Sequence, residues 1–335
     1  HTQALTPAEA NWAPFGKLGA KSQHECCSTE EANLYFDGIG DGNGGHAALV
    51  DKVEELAHRG FALGDLLEFF AKLGTAELMP QFDAKRSTTN DVVRSGIIPA
   101  SARSDFGDCA FATVINRGEG VLPQMMVSHH WANIFTHTIA AIVADAFDLS
   151  TYAEIADVLA RGEALKVKAR LEELGLAKRT YWLCAVSVNQ HSSICGKARG
   201  RDTVSGEEFE SCTCTTTKHV DGDSCEMNKF DDMMSYLCMN VEGFGQVVAI
   251  DERFEVFSRA WVIAELVQAR KSGMVQKLKL HSKRALAKHS TVAANIDIRK
   301  CMASRVEDKE YILSKVDDID LFNKELREML LNPET

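Results

Sequence analysis

Glu265 is the acid in this sequence that is best placed to do chemistry. It lies in the segment QVVAIDERFEVFSRAWVIAELVQ, residues 246–268. The segment predicts a buried strand at 247–250, a charged loop, and an amphipathic helix on which Trp261 and Glu265 share one face. Because the loop after a parallel strand borders the ligand crevice of an open α/β sheet, Glu265 is our candidate catalytic carboxylate. The alternative is that Trp261 packs on the sheet and Glu265 is a surface acid.

Polar side chains follow two further predicted strands. Ser128, His129, His130 and Trp131 come after residues 124–127, and residues 187–191 end the apolar run that starts at residue 181. If the strands are parallel, all three polar groups meet at one edge of the sheet. The indole of Trp131 could stack on a planar base there, although such a ring is more often part of a core.

A second chemical signal is a polar, cysteine-rich segment at residues 192–225. Its ligand-type side chains follow the pattern C-x-C-x4-H-x5-C and are Cys212, Cys214, His219 and Cys225. Four such donors suit tetrahedral zinc, which would order a segment that has little hydrophobic content. A disulfide and free thiols remain as alternatives, and Cys195 could replace any member. A thiol- or zinc-dependent enzyme centred on Cys212 and His219 is a further hypothesis.

Composition narrows the classes of function. The chain has 335 residues, of which 45% are hydrophobic and 25% charged, and these are values typical of globular proteins. A net charge of −11 argues against nucleic acid as a partner. No uninterrupted apolar stretch is long enough to span a membrane, and the dilute cysteines favour a reducing compartment. We therefore expect an intracellular protein, in the cytoplasm or an organelle.

The alternation of strands and helices predicts an α/β fold with a parallel sheet. Strands are expected at 124–127, 181–188, 247–250 and, at an edge, 274–282, with a possible last strand at 293–298. Long helices are expected at 134–147, 152–176 and 226–237. The expected domains are a mostly helical or irregular region at 1–120, the α/β domain at 121–300 with its insertion, and a helical tail at 301–335. A helical hairpin is expected at 51–74.

The motifs VSHHW and VVAIDERFEVFSRAWVIAEL, separated by a buried strand, resemble those of TIR (Toll/interleukin-1 receptor) domains. The chain is similar to uncharacterised TIR-like proteins of unicellular algae, over residues 121–285. The resemblance implies a flavodoxin-like, doubly wound parallel sheet of about five strands. It departs from the family at Val262, where a cysteine is usual.

The same resemblance implies one of two roles. Some TIR domains are assembly modules, which would make this chain a homo-oligomer or a subunit of a larger complex. Others hydrolyse NAD through the glutamate of a W-x-x-x-E helix, which matches Glu265, with Ser258 as the matching loop serine. On that basis the expected substrate-binding residues are Ser128, His129, Trp131, Ser258 and Trp261. The partner is then either a nucleotide or another protein.

Overall fold

The computed structural model describes residues 45–196, 200–219, 222–303 and 306–331. The first 44 residues of the predicted N-terminal region lie outside this description, as do short pieces of the insertion and of the tail. What is described is an α/β protein built on one five-stranded sheet. The expected fold class is therefore confirmed.

Four strands of the sheet are parallel, and one short edge strand is antiparallel. The strands are β1 (Phe61–Ala62), β2 (Met125–Ser128), β3 (Thr180–Leu183), β4 (Gly245–Ile250) and β5 (Val275–Leu280). Their order is β1-β3-β2-β4-β5, with β1 antiparallel to β3. All six residues of β4 are buried, as expected for a central parallel strand with a continuous apolar run. β5 lies at the edge, as predicted.

Helices cover both faces of the sheet. The helices before β2 are α1 (Gly45–Ala57), α2 (Leu63–Lys72), α3 (Thr89–Val92), α4 (Ile98–Ser101) and α5 (Phe111–Ile115), with a π-turn at Val93–Ile97. Those between β2 and β4 are α6 (Phe135–Ala146), α7 (Ala153–Ala160), α8 (Ala164–Glu173), α9 (Cys184–Ser187), α10 (Gln190–Ser193) and α11 (Phe230–Asn240). After β4 come α12 (Ala260–Lys271), α13 (Lys283–Lys288), α14 (Ser290–Ala294), α15 (Val306–Ser314) and α16 (Ile319–Leu331).

Alternation along β2 separates two hydrophobic layers. Met125 and Val127 face α2 and α6 to α8, whereas Met126 faces the opposite layer with α1 and α11. α12 covers β4 on that second face, and α16 packs on α12 in turn. The helical tail therefore packs on its own domain.

The predicted hairpin at 51–74 does not form. Leu56 of α1 and Leu66 of α2 belong to cores on opposite faces of the sheet. The reason is β1, which lies between the two helices and pairs with β3. Trp182 of β3 fixes α1 by donating its indole N–H to the Leu56 carbonyl at 3.0 Å.

Three other local predictions were wrong. The strand expected to reach residue 188 ends at Leu183, where the Ser187 hydroxyl accepts the Leu183 N–H and the chain turns into α9. The helix predicted at 152–176 is broken at Gly162, whose φ of +78° is incompatible with a helix. The possible strand at 293–298 is instead the end of α14 and a 3-10 turn. Composition alone does not separate a short buried strand from a buried helical turn.

A buried ionic group fastens α6 to the sheet. Asp145 is fully buried and accepts a hydrogen bond from the Tyr181 hydroxyl at 3.0 Å. Its carboxylate is also 3.4 Å from the Arg179 guanidinium and 3.6 Å from the ammonium of Lys279, which is itself buried. One acid therefore compensates the buried positive charge of β5.

Replacement of Asp145 by alanine should destabilise the fold strongly. The Lys279 ammonium would remain buried without its counter-charge, and the loss of one partner of a buried pair costs about 3–5 kcal/mol. Urea unfolding measures this change. Asp317→Asn, at an exposed position in the turn before α16, is the control and should stay within about 0.5 kcal/mol of wild type. Equal stability of the two variants would contradict the assigned role of Asp145.

Candidate functional site

The candidate site lies where the strand order reverses. β2 pairs with β3 on one side and with β4 on the other. After β2 the chain forms β3 on one side of it, and the next strand, β4, is added on the other side. Ser128 is the last residue of β2, and Asp251 follows β4 directly. In doubly wound sheets, ligands bind outside the carboxyl ends of the strands at this reversal.

Glu265 is buried between α12 and the sheet at this reversal. Only 7% of the residue is exposed, and its carboxylate accepts a hydrogen bond from the fully buried Ser128 hydroxyl. The Ser128 oxygen in turn accepts from the side-chain amide N–H of Gln246 at 2.7 Å. The side-chain oxygen of Gln246 accepts from the side-chain amide N–H of Gln276, also at 2.7 Å. A polar chain therefore connects Glu265 across β2, β4 and β5. The direction of the hydrogen bonds in this chain is fixed. Because Gln246 donates to the Ser128 oxygen, the Ser128 hydroxyl proton points toward Glu265.

Burial controls the protonation of Glu265. Loss of water raises the pKa of this carboxyl from 4.5 to about 7, although the Ser128 hydrogen bond and the positive charge of Arg259 oppose the increase. The negative charge of Asp231 contributes in the same direction as burial. Near neutral pH the group therefore exists in both forms, which is the condition that suits a general acid or base.

Three further side chains are linked to the carboxylate: Cys184 and Arg259 interact with it electrostatically, and Trp131 is joined to Cys184. The indole N–H of Trp131 donates to the Cys184 sulfur at 3.4 Å, and the charge of Glu265 adds to burial in raising the pKa of Cys184 to about 11. Arg259, half-buried just before α12, donates to the His129 carbonyl at 3.5 Å.

Sequence reasoning missed Arg259 and Cys184. The only available signal for Arg259 was its position in the loop after β4, and Cys184 lies in an apolar run that read as a plain strand.

His129 is unsuited to be a base. Burial, followed by the charge of Arg259, lowers its pKa to about 3, so the ring is neutral at physiological pH. Its Nε2 atom is buried and has no hydrogen-bond partner among the described residues. His129 can therefore act as a neutral hydrogen-bonding group.

Ser258 and Trp261 make contacts other than those with Glu265. The Ser258 hydroxyl donates to the Glu255 carbonyl at 2.6 Å, within the 3-10 turn Glu255–Ser258. Trp261 is half-buried against the core that α12 shares with the tail. Of the five side chains expected to bind substrate, Ser128 contacts Glu265 directly and Trp131 is linked to it through Cys184.

The cysteine-rich insertion forms a separate cluster that could hold a metal ion. One donor atom from each of four residues lies within 4.8 Å of the others, and these residues are His191, Cys195, Cys212 and Cys214. Cys195, Cys212 and Cys214 are free thiols. The sulfurs of Cys195 and Cys214 are 3.2 Å apart, within hydrogen-bonding distance.

This cluster overlaps only in part with the set of ligands predicted from the sequence. Cys212 and Cys214 are members, whereas His219 and Cys225 are not. The insertion folds back on α10, so that its cysteines meet His191, which lies about twenty residues earlier in the chain. The prediction allowed Cys195 as a replacement but did not include His191, because nothing in the sequence places that residue beside the cysteines. His219 instead donates its backbone N–H to the Ser192 carbonyl at 2.8 Å.

Comparisons with protein-family models, with curated proteins and with solved structures found no match to this chain. Within the described ranges, none of the helices combines the length and the apolar character needed to cross a membrane.

The raised pKa of Glu265 predicts a characteristic pH dependence of stability. The folded protein holds this proton more tightly than the unfolded chain, so the stabilisation is fully present below pH 4.5 and is lost as pH rises through about 7. Glu265→Gln removes this loss. Relative to wild type, the variant should gain about 3 kcal/mol in unfolding free energy between pH 4.5 and pH 8.

Chemical denaturation at both pH values measures this difference. Glu255→Gln, at an exposed position in the preceding turn, is the matched control and should follow wild type. If the two variants behaved alike, Glu265 would not be the group that titrates near neutral pH.

Proposed function

We propose that this protein hydrolyses NAD at the bond between ribose and nicotinamide, with Glu265 as the catalytic carboxylate. The observation that carries the proposal is a buried carboxyl with a pKa of about 7, held by Ser128 at the reversal of a doubly wound sheet. The resemblance of residues 121–285 to TIR domains supports the same activity. Nucleotide ligands commonly bind at this position in such sheets.

The surrounding groups suit the chemistry. Cleavage of a ribosyl–nicotinamide bond passes through an oxocarbenium-like state, and a carboxylate beside the ribose stabilises its positive charge. The guanidinium of Arg259 can bind phosphate oxygens, and the Trp131 ring can stack on the flat nicotinamide. Arg259 interacts electrostatically with Glu265, and Trp131 is linked to Glu265 through Cys184.

The competing proposal is an interaction module without activity, acting as a homo-oligomer or as a subunit of a larger assembly. The observation in its favour is the burial of Glu265 and Ser128, which already satisfy each other within the polar chain to Gln246. Such a chain also serves as a buried structural network that fixes α12 on the sheet. Substrate would have to reach the carboxylate through a local opening.

The two proposals differ in the release of nicotinamide from NAD. Purified protein, at a concentration high enough to permit assembly, should release it, and Glu265→Gln should lower the rate at least about 100-fold, the typical contribution of a positioned acid or base. Chromatography follows the free base. Glutamine has the same shape as glutamate, so the fold should persist, and Glu255→Gln should keep the full rate.

An unchanged rate in Glu265→Gln would remove this residue from the mechanism. No release by wild-type protein with intact circular dichroism would favour the interaction module, and native mass spectrometry of its assemblies would follow.

We also propose that the metal of the cluster is zinc. Thiolate sulfur and imidazole nitrogen are the donors that tetrahedral zinc prefers, and bond lengths of about 2.3 and 2.0 Å require ligand atoms about 3.5–3.8 Å apart. The Nδ1 atom of His191 is 3.6 Å from the Cys212 sulfur and 3.7 Å from that of Cys195. The pair Cys195–Cys214, at 3.2 Å, needs to separate by only about half an ångström.

Metal analysis distinguishes this set of ligands from the one predicted by sequence. Protein purified without chelator should contain one equivalent of zinc, Cys214→Ser should contain much less, and Cys225→Ser should keep the full equivalent. Loss of zinc in Cys225→Ser would restore the sequence-predicted set. A metal-free wild type containing a Cys195–Cys214 disulfide, detected by mass mapping, would replace zinc with a redox pair.

A further inference from the structure

We propose that the cluster of His191, Cys195, Cys212 and Cys214 is a closed, structural zinc centre with two positioning residues, Ser101 and Lys218, and that it fastens the insertion to the α3–α4 region. This inference rests on the zinc proposal above. It assigns the role of the metal and the groups that support its ligands.

Ser101 determines which nitrogen of His191 faces the cluster. The buried Ser101 hydroxyl donates to the Ile97 carbonyl at 2.8 Å, so its oxygen is left to accept from the His191 Nε2–H at 3.1 Å. That tautomer leaves the Nδ1 lone pair free, on the side of the ring where the sulfurs lie. A second hydrogen bond of this kind is what normally orients a histidine ligand.

Lys218 provides the charge that the centre requires. Three thiolates and a neutral imidazole around Zn²⁺ carry a net charge of −1, in a site where His191 and Cys195 are buried and Cys212 and Cys214 are half-buried. The Lys218 ammonium lies 2.9 Å from the Cys195 sulfur and 3.7 Å from the Cys214 sulfur. It also donates to the carbonyls of Thr216 and His191, and these bonds hold it over the sulfurs. Lys218 can therefore neutralise the centre without binding the metal.

The insertion needs such a fastening because it has little core of its own. Residues 200–219 contain no helix or strand, and Phe209 is their only large side chain that is fully buried. Polar contacts and one cation–π contact join residues 203–216 to residues 86–108. They include Thr203 with Asp91, Arg103 with Thr213, Thr216 with Asp108, and the Phe209 ring under Arg94. The metal would join Cys212 and Cys214 to α10, which closes this segment over α3 and α4.

Four protein ligands also leave no open position for a substrate or water. Zinc sites of this composition are structural, and their binding energy becomes folding energy of the segment that they join. The role assigned to this zinc is therefore local stabilisation, separate from the chemistry proposed at Glu265.

Zinc affinity tests the two positioning residues. Lys218→Met keeps the length of the side chain and removes its charge, and Ser101→Ala removes the acceptor for His191. Each should weaken zinc binding about 10- to 100-fold, the usual effect of losing an outer partner of a ligand. Competition with a chromophoric chelator on the full chain measures the affinity. Arg201→Met, which removes an exposed cation of the same insertion, should leave it unchanged.

Hydrogen exchange tests whether zinc holds the insertion in place. Removal of zinc from the full chain should abolish protection of residues 200–219 and leave the sheet protected. The outcomes separate the two proposals. A wild type without zinc refutes the zinc centre altogether. Zinc bound with wild-type affinity in both Lys218→Met and Ser101→Ala refutes the positioning roles, and unchanged or global exchange on zinc removal refutes the local fastening.

Discussion

The hydrogen bond between Ser128 and Glu265 joins the end of β2 to the helix that follows β4, and the candidate site depends on it. A carboxyl without water around it is costly as an anion, so its pKa rises unless partners compensate. Here one hydroxyl and one guanidinium compensate in part. The result is a group balanced between two protonation states at neutral pH, placed where the sheet topology reverses.

That balance depends on the surroundings as much as on the pair. Gln246 orients the Ser128 hydroxyl, Gln276 in turn orients the Gln246 side chain, and Arg259 supplies the positive charge from the loop before α12. A site assembled from three strands and a helix is held rigidly, which suits catalysis, but the same rigidity suits a purely structural network. Burial of the carboxylate is common to both, and turnover of NAD is the property that separates them.

The cysteine-rich insertion addresses a different physical problem. A long polar segment cannot bury enough apolar surface to offset the entropy of ordering it. Its polar contacts to residues 86–108 are individually weak, and the convergence of one imidazole and three thiols offers a stronger link. The two sites are connected in the chain, because β3 is followed by Cys184 near Glu265 and then by His191 at the cluster.

Sequence by itself determined the α/β class, the strands at the centre of the sheet and Glu265 as the acid to examine, because hydrophobic periodicity and strand-end polarity are local properties. It failed where the outcome depended on contacts between distant residues. The two-residue strand β1 separates helices that read as a hairpin, and the Ser187 hydroxyl ends β3 inside an apolar run. Tertiary structure alone decided that Arg259 and Cys184 interact with Glu265, and that His191 lies beside Cys195, Cys212 and Cys214. The physical reason is that the sequence specifies the chemical type of each side chain, whereas the packing of the whole chain sets the distances between side chains that react or bind together.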